Sequence, residues 1–307
     1  MEFGKLADIS GVNFSLPTDS PGNARMLRAL PKAGVLPYLY IGCTGWSMKE
    51  WAGRVYPPGI RSKDYLRYYS RQFNTIELNS THYRIPYPAT IRKWYEESEP
   101  DFRFCPKLPQ TISHSRNISQ EGRLIAQFCE AVEGLNEKLG HCFMQMPPYY
   151  DTSRLAELEK FFQAFPRHIP LALELRHESW FEPNYGQEAL FEMLEQYGIS
   201  TVITDVAGRR DILHMRLTNS TAMLRFVGNG LHPTDYSRAD DWIKRMKKWY
   251  DAGLQQFFLF AHEPDNLLAP ELAAYFLEKA QKELPGVRCR GPRLGPDGDE
   301  GQQMSLF

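Results

Sequence analysis

Two pairs of polar residues each follow a short apolar run, with a spacing of two residues within the pair. Glu77 and Asn79 form the first pair, and Glu174 and Arg176 form the second. If both runs are β-strands, side chains two residues apart lie on the same face. Two carboxylates near a guanidinium suit general acid–base hydrolysis or the binding of a phosphate ester. The alternative is that the charges form ion pairs with a purely structural role.

Polar residues also end, lie in or follow the other predicted strands. They are Lys107, Gln145, Asp205, Arg225, His262 and Glu263. Desolvating so many polar groups in one place costs several kcal/mol unless a ligand or water satisfies them, so we predict a pocket. Glu174, Asp205 and His262 could instead ligate a divalent metal ion, although no HxH or HExxH spacing supports such a site.

Four aromatic residues fall just after predicted strands: Trp46, Tyr83, Tyr149 and Trp180. Flat aromatic faces at these positions could stack on a sugar or a base. The alternative for each residue is ordinary packing of a loop.

Eight apolar, β-branched and aromatic runs alternate with amphipathic helical patterns, which predicts a single-domain α/β protein with a (β/α)8 TIM barrel. The predicted strands are 38–43, 75–78, 102–106, 142–146, 171–175, 200–204, 222–227 and 257–261. The crossover at 206–221 shows no helical pattern. The polar residues then meet at the C-terminal ends of the strands, here called the mouth. A doubly wound sheet is the alternative, but no GxGxxG follows the first strand.

Composition narrows the class of protein. The 307 residues carry a net charge of -1, which argues mildly against a nucleic-acid binder. The five cysteines are odd in number and widely spaced, which favours reduced thiols in a cytoplasm. We expect no membrane span and no secretory signal, since no long apolar run is present.

Several strings occur in the order seen in the DUF72 (YecE-like) family. The most specific are Glu-Leu-Asn-Ser-Thr-His-Tyr at 77–83 and Glu-Leu-Arg-His-Glu-Ser-Trp at 174–180. The chain resembles this family over residues 38–282. The resemblance implies a TIM barrel of unknown function. The chain departs from the family pattern at 224–229 and 261–266.

The resemblance adds His114 and His177 to the site residues. We predict catalytic roles for Glu77, Glu174, Asp205 and His177. We predict that substrate is bound by Trp46, Asn79, Tyr83, Lys107, His114, Gln145, Arg176, Trp180 and Arg225. The sequence does not require a cofactor, and a divalent metal is compatible with it.

The two ends differ from the barrel at 38–283. Residues 1–37 predict an extended N-terminal arm, and residues 284–307 predict a flexible tail rich in glycine and proline. The tail ends in Gln303, Met304, Ser305, Leu306 and Phe307, which resembles the peptide that binds the bacterial sliding clamp. Such a peptide delivers apolar anchors into a groove of its partner.

Three functions are compatible with these features. The first is a hydrolase that acts at the mouth on a phosphorylated or nucleic-acid-derived substrate, tethered to a sliding clamp by its tail. The second is a non-catalytic module that binds a ligand or a nucleic-acid end. The third is a carbohydrate-processing enzyme, because aromatic residues with paired carboxylates also suit sugars.

Overall fold

A computed structural model describes residues 3–30, 36–182 and 185–294. Its β-strands are β1 (Tyr38–Gly42), β2 (Thr75–Leu78), β3 (Arg103–Pro106), β4 (Cys142–Gln145), β5 (Leu171–Glu174), β6 (Ser200–Asp205), β7 (Thr221–Val227), β8 (Gln256–His262) and β9 (Arg288–Arg290). Its α-helices are α1 (Pro21–Ala29), α2 (Tyr65–Gln72), α3 (Ser80–Tyr83), α4 (Pro88–Glu97), α5 (Gln110–Ser113), α6 (Gly122–Glu133), α7 (Leu155–Ala164), α8 (Tyr185–Tyr197), α9 (Pro233–Ala252) and α10 (Ala269–Glu283). All eight predicted strands are confirmed, with ends that differ by at most one residue.

The strands form two parallel sheets. The larger sheet has the order β4-β5-β6-β7-β8-β1-β9, and β2 pairs with β3 in the smaller one. Helices follow most strands, which makes the chain an α/β protein. Between β6 and β7 only a short 3-10 helix, Arg210–Ile212, is present, as the weak pattern there predicted. The described strands do not form one continuous closed sheet, so the predicted TIM barrel is not shown.

The ladder of backbone hydrogen bonds between strands is interrupted at the boundary between β1 and β2, which we call a seam. The Asn74 side chain accepts from the backbone N of Ile41 at 2.7 Å and donates to the carbonyl of Leu39 at 3.1 Å. Only at the end of the seam does backbone meet backbone, where the N of Glu77 donates to the carbonyl of Cys43 at 3.0 Å. Along part of this seam, the Asn74 side-chain amide thus makes the hydrogen bonds that the backbone of a neighbouring strand would otherwise make.

The interior between the strands is packed with side chains from seven of them. This buried cluster contains Tyr40, Cys105, Phe143, Ala172, Val202, Met223, Phe258 and Phe260. Because strand side chains alternate between faces, the residue two positions further along each strand points to the same side. Lys107, Gln145, Glu174, Thr204, Arg225 and His262 occupy those positions.

Helix α9 has clear start and stop signals. The His232 ring accepts from the backbone N of Thr234, and the carboxylate of Asp235 accepts from the backbone N of His232. These bonds satisfy amide groups that have no partner inside the helix. Gly253 ends the helix at φ 119°, a conformation that favours glycine. The two ends of helix α9 are therefore fixed by capping contacts that the sequence encodes locally.

The N-terminal arm contains a helix that was not expected. Helix α1 begins at Pro21, whose fixed φ suits the first helical position. The buried side chain of Asn23 anchors it, donating to the carbonyl of Met215 at 2.6 Å and accepting from the N of Leu217 at 2.9 Å. The prediction of an extended arm is therefore wrong for α1.

The segment expected to start a flexible linker is also structured. Strand β9 pairs with β1, and the guanidinium of Arg290 donates to the carbonyls of Ser70, Arg71 and Phe73. The ordered fold thus extends past residue 283 to at least residue 294. Within the described ranges, no helix has the length and apolar character needed to cross a bilayer.

Candidate functional site

A buried arginine joins the two carboxylates that the sequence singled out. Arg225 donates from Nε and Nη2 to the two oxygens of Glu77, at 2.9 and 3.1 Å. Its Nη1 lies 3.0 Å from each oxygen of Glu174. Both carboxylates are fully buried, and the Arg225 side chain is 10% exposed. The predicted convergence of Glu77, Glu174 and Arg225 is present in the structure, and the three side chains are ion-paired there.

Side chains from four other strand ends, together with one more residue after each of β2 and β5, extend this arrangement. Asn79 donates to Glu77 at 2.8 Å, Arg176 donates from Nε to Glu174 at 2.9 Å, and Gln145 donates to Glu174 at 2.7 Å. Lys107 donates from Nζ to Oε1 of Gln145 at 2.8 Å. We call the whole set the inner network: Glu77, Asn79, Lys107, Gln145, Glu174, Arg176, Thr204, Arg225 and His262.

The arginines keep both carboxylates ionised. Burial by itself opposes ionisation of Glu174, but the charges of Arg176 and Arg225 overcome it and lower its pKa to about 2. Burial acts in the same way on Glu77, where Arg225 and His262 hold the pKa well below its usual range. These carboxylates are acceptors at neutral pH and do not serve as proton donors.

Lys107 has the opposite environment. Burial, followed by the positive charge of Arg225, lowers its pKa to about 8. The residue is 7% exposed, so its ammonium group is largely shielded from bulk water. With this pKa, a fraction of Lys107 is neutral near physiological pH.

Two histidines from short helices lie near this cation. Burial and the charges of Lys107 and Arg176 lower the pKa of His114. The rings of His82 and His114 are 5.5 Å apart, and burial lowers the pKa of His82 to about 4. His114 is therefore a neutral group beside the cations, as expected of a residue at the mouth.

Two members of the inner network were not among the predicted site residues. His262 bonds through Nε2 to Glu77 at 2.9 Å, and Thr204 donates to Glu174 at 3.1 Å. The period-two pattern could have identified Thr204, since it lies two residues after the interior residue Val202. Phe3 is a further contact from the N-terminal arm, and its ring lies 4.0 Å from the guanidinium carbon of Arg176.

Asp205 does not belong to the site, and its predicted catalytic role is not supported. It follows Thr204 on β6 and therefore points to the other face of the strand. Asp205 accepts from Nη2 of Arg238 at 2.8 Å, from Nε1 of Trp242 at 2.7 Å, and from Arg210. We call this fully or nearly buried set the outer network: Asp205, Arg210, Asp235, Arg238 and Trp242.

His177 and Trp180 have structural roles in place of the predicted functional ones. The Nδ1 atom of His177 accepts from the backbone N of Ser179 at 3.2 Å, which caps the short helix Glu178–Trp180. Trp180 is completely buried and stacks on the Tyr150 ring at 6.3 Å. Neither side chain joins the inner network.

The other predicted stacking residues also lie away from the buried charges. Trp46 packs edge-on against Trp94 and Phe104, and Phe104 faces the helices rather than the interior. Tyr83 is 75% exposed, with its ring 5.5 Å from that of His82. The structure therefore leaves Tyr83 exposed at the surface and does not assemble an aromatic platform from Trp46 and Trp180.

The metal-ligand set considered from the sequence is not assembled, because Asp205 points away from Glu174 and His262. Across the residues that the structure describes, no group of three or more His, Cys, Asp or Glu side chains is arranged to hold a metal ion. The predicted clamp-binding residues Gln303, Met304, Leu306 and Phe307 lie outside the described residues.

Comparison with known proteins agrees with the family strings. The family described as "Protein of unknown function DUF72" matches residues 40–295. The UPF0759 protein YecE of Escherichia coli K12 is 30% identical over 267 residues, covering 81% of this chain and 95% of that protein. The UPF0759 protein YunF of Bacillus subtilis is 31% identical over 172 residues, covering 53% of this chain and 60% of that protein.

A solved structure supports the fold. The crystal structure of a DUF72 family protein from Enterococcus faecalis superposes with a TM-score of 0.64 at 20% identity, covering 80% of this chain and 98% of that one. At this identity the similarity concerns the fold alone. The family match spans most of the chain and includes every residue of the inner network, so the chain belongs to the DUF72 family, a family of unknown function.

Proposed function

We propose that the inner network binds a small anionic ligand, of a phosphorylated or nucleic-acid-derived kind, at the C-terminal ends of the strands. One observation carries this proposal. Arg225 is paired with both Glu77 and Glu174. Among the described side chains, the hydrogen-bond acceptor of Lys107 is the neutral amide of Gln145. Three cations against two carboxylates leave one positive charge, which an anion would neutralise.

The location of the inner network is typical of the ligand site in a barrel enzyme or a barrel-shaped binding protein. We propose that β1–β8 form a (β/α)8 barrel whose two seams are bridged by a few hydrogen bonds. The second seam supports this, because the N of Leu108 donates to the carbonyl of Phe143 at 2.9 Å. Active sites of such barrels lie at the C-terminal ends of the strands, where the inner network is found.

Hydrolysis of the bound ester is the reaction that the site supports best. His262 bonds through Nε2 to the Glu77 carboxylate, which favours a proton on that nitrogen and leaves Nδ1 as an acceptor for a water proton. In this scheme Lys107 and Arg176 hold the anion, and Glu77 orients the base. This assigns proton transfer to His262 in place of the carboxylates that the sequence suggested.

Calorimetric titration with inorganic phosphate and with a nucleoside monophosphate tests the anion site. We expect saturable binding to the wild type, and at least tenfold weaker binding to the Lys107→Met variant, because one charge-assisted contact is lost. Lys93→Met is the matched control, since Lys93 lies in α4 and its side chain is 54% exposed. Absence of saturable binding, or equal binding by Lys107→Met, would contradict the proposal.

A separate measurement distinguishes an enzyme from a binding module. Release of phosphate or nitrophenol from generic phosphomonoesters and phosphodiesters would be followed in the wild type and in His262→Gln. A base oriented by Glu77 predicts a loss of turnover of about 100-fold or more in His262→Gln, with ligand affinity changed only a few-fold. Binding without any turnover by the wild type would favour the non-catalytic module.

The carbohydrate alternative has less support. Glycoside hydrolysis needs a carboxylic acid that can donate a proton, and both Glu77 and Glu174 are held as carboxylates. The tryptophans expected to stack on a sugar, Trp46 and Trp180, pack elsewhere. No feature of the inner network favours a sugar over a phosphate.

The C-terminal peptide supports a proposal of its own, that the tail binds a bacterial sliding clamp. Residues 303–307 lie beyond residue 295, where the family match ends, so the peptide is separate from the matched domain. Fluorescence polarisation of a labelled tail peptide should show binding to a clamp that an unlabelled peptide displaces, and Leu306→Ala with Phe307→Ala should remove it. No displaceable binding at high micromolar concentration would contradict the proposal.

A further inference from the structure

We propose that Lys107 is a nucleophilic amine, which condenses with the carbonyl group of an anionic aldehyde or ketone to form an imine. This inference rests on the proposed anion site and deepens it, because it names the reactive group of the ligand. It requires an amine that is fixed in place and not held as an ion pair, and the structure meets both conditions. Lys107 retains 7% of its exposure at the C-terminal ends of the strands.

The backbone fixes the direction of the Lys107 side chain. Its N donates to the carbonyl of Leu78 at 3.1 Å, and its carbonyl accepts from the hydroxyl of Thr81 at 2.7 Å. Lys107 lies two residues after the interior residue Cys105, so the same face of the strand directs it inward. The amine therefore points inward, next to the buried interior cluster, rather than into solvent.

The surrounding charges favour the neutral, nucleophilic form. The charged and titratable groups that act on Lys107 are Glu77, His82, His114, Glu174, Arg176 and Arg225. Arg225 and Arg176 engage both carboxylates of this set and also repel the ammonium. With its pKa lowered to about 8, a fraction of Lys107 is neutral near physiological pH.

A second buried lysine shows what a structural role looks like. Lys138 is 6% exposed, close to the exposure of Lys107. Its Nζ donates to the carbonyl of Tyr95 at 2.6 Å, to the carbonyl of Ser98 at 2.7 Å and to the hydroxyl of Ser98 at 3.1 Å. All three protons of Lys138 are thus engaged by oxygens, whereas a single amide oxygen receives a proton from Lys107.

The reaction balances without an oxidant or reductant. The lone pair of Nζ attacks the carbonyl carbon, and the π electrons of the carbonyl move to its oxygen. The resulting carbinolamine loses that oxygen as water, whose two hydrogens come from the amine, and a carbon–nitrogen double bond forms. Water reverses the reaction. The phosphate or carboxylate of the ligand would pair with Arg176, whose side chain is 15% exposed.

Reductive trapping with pyridoxal 5′-phosphate, an aldehyde that carries a phosphate, tests the inference. The full chain is treated with a substoichiometric amount near pH 8, borohydride reduces the imine to a stable secondary amine, and peptide mass mapping locates it. We expect at least tenfold more adduct on Lys107 than on Lys138 or on the exposed Lys93, and excess phosphate should reduce it. Adduct distributed according to exposure, with Lys107 unmodified, would overturn the inference.

Lys107→Arg separates this inference from the proposed anion site, because it keeps the positive charge and cannot form the imine. We expect the adduct at position 107 to be lost in this variant, and phosphate binding by the wild type tests the anion site on its own. A wild type that binds phosphate but is not modified at Lys107 would overturn only the imine. Modification at Lys107 without phosphate binding would overturn only the anion site. If Lys107→Arg does not fold, the ratio of adduct on Lys107 to adduct on Lys138 in the wild type decides.

Discussion

Two buried carboxylate–arginine clusters lie at the ends of neighbouring strands. In the inner network, Arg225 bridges Glu77 and Glu174, and the Arg176 side chain beside them is 15% exposed. In the outer network, Asp205 lies between the sheet and α9 and accepts from Arg238 and Trp242. The first cluster lies on the inward face of the strands at their C-terminal ends, and the second lies between the sheet and a helix.

The two networks differ in their net charge. Two arginines and two aspartates of the outer network balance each other, and the Arg238 and Asp205 side chains are 1% and 0% exposed. The inner network carries one cation more than its carboxylates neutralise. A charge-balanced cluster contributes to the folded structure, whereas a cluster with one excess cation is suited to an anion.

The largest effect is expected from breaking the outer network. Arg238→Ala leaves Asp205 and Asp235 buried without their shared partner, so we expect the free energy of unfolding to fall by about 3–5 kcal/mol. Chemical denaturation followed by circular dichroism measures this. Lys247→Ala on the same helix is the control, because its pair with Asp251 is exposed and contributes under about 1 kcal/mol. Equal effects of the two variants would show that the outer network is not structural.

The loss of folding stability at acidic pH tests the inner network. The folded-state pKa of Glu174 is about 2, below its ordinary value of 4.5, so its stabilising contribution is present above pH 4.5. That contribution, about 3 kcal/mol, is lost as the pH falls from 4.5 towards 2. Denaturation midpoints across this range should therefore decline less steeply for Glu174→Gln than for the wild type. Identical slopes would mean that Glu174 is not held as an ion pair.

A smaller effect of opposite sign is expected at Lys107. Its folded-state pKa of about 8 lies below its ordinary value of 10.5, so the unfolded chain binds more protons between these values. Stability should rise with pH across that window, and below it the wild type carries the full cost. Lys107→Met removes the cost, and we expect it to be about 1–3 kcal/mol more stable at pH 7. Lys138→Met is the control and should be less stable, because it leaves two carbonyls without a partner. Destabilisation by Lys107→Met would contradict the charge imbalance.

Particular residues show how far sequence patterns reach. The spacing of Glu77 with Asn79 and of Glu174 with Arg176 correctly placed both pairs on one face, because side chains alternate along a strand. The same alternation places Asp205 on the opposite face from Thr204, and counting Asp205 with the polar strand ends turned a structural carboxylate into a catalytic candidate. Trp180 was predicted to bind substrate because it follows a strand, but the packing partners that bury it are distant in sequence.

The amino-acid sequence by itself determined the family, the eight strand positions and the convergence of Glu77, Glu174 and Arg225, because these depend on local patterns and short strings. Tertiary structure alone decided which polar residues face the interior, which pair with α9 and how Asn74 interrupts the ladder between β1 and β2. It also decided that Lys107 is left with an amide as its partner. These properties depend on side chains that meet across tens or hundreds of residues, and no spacing along one strand encodes them.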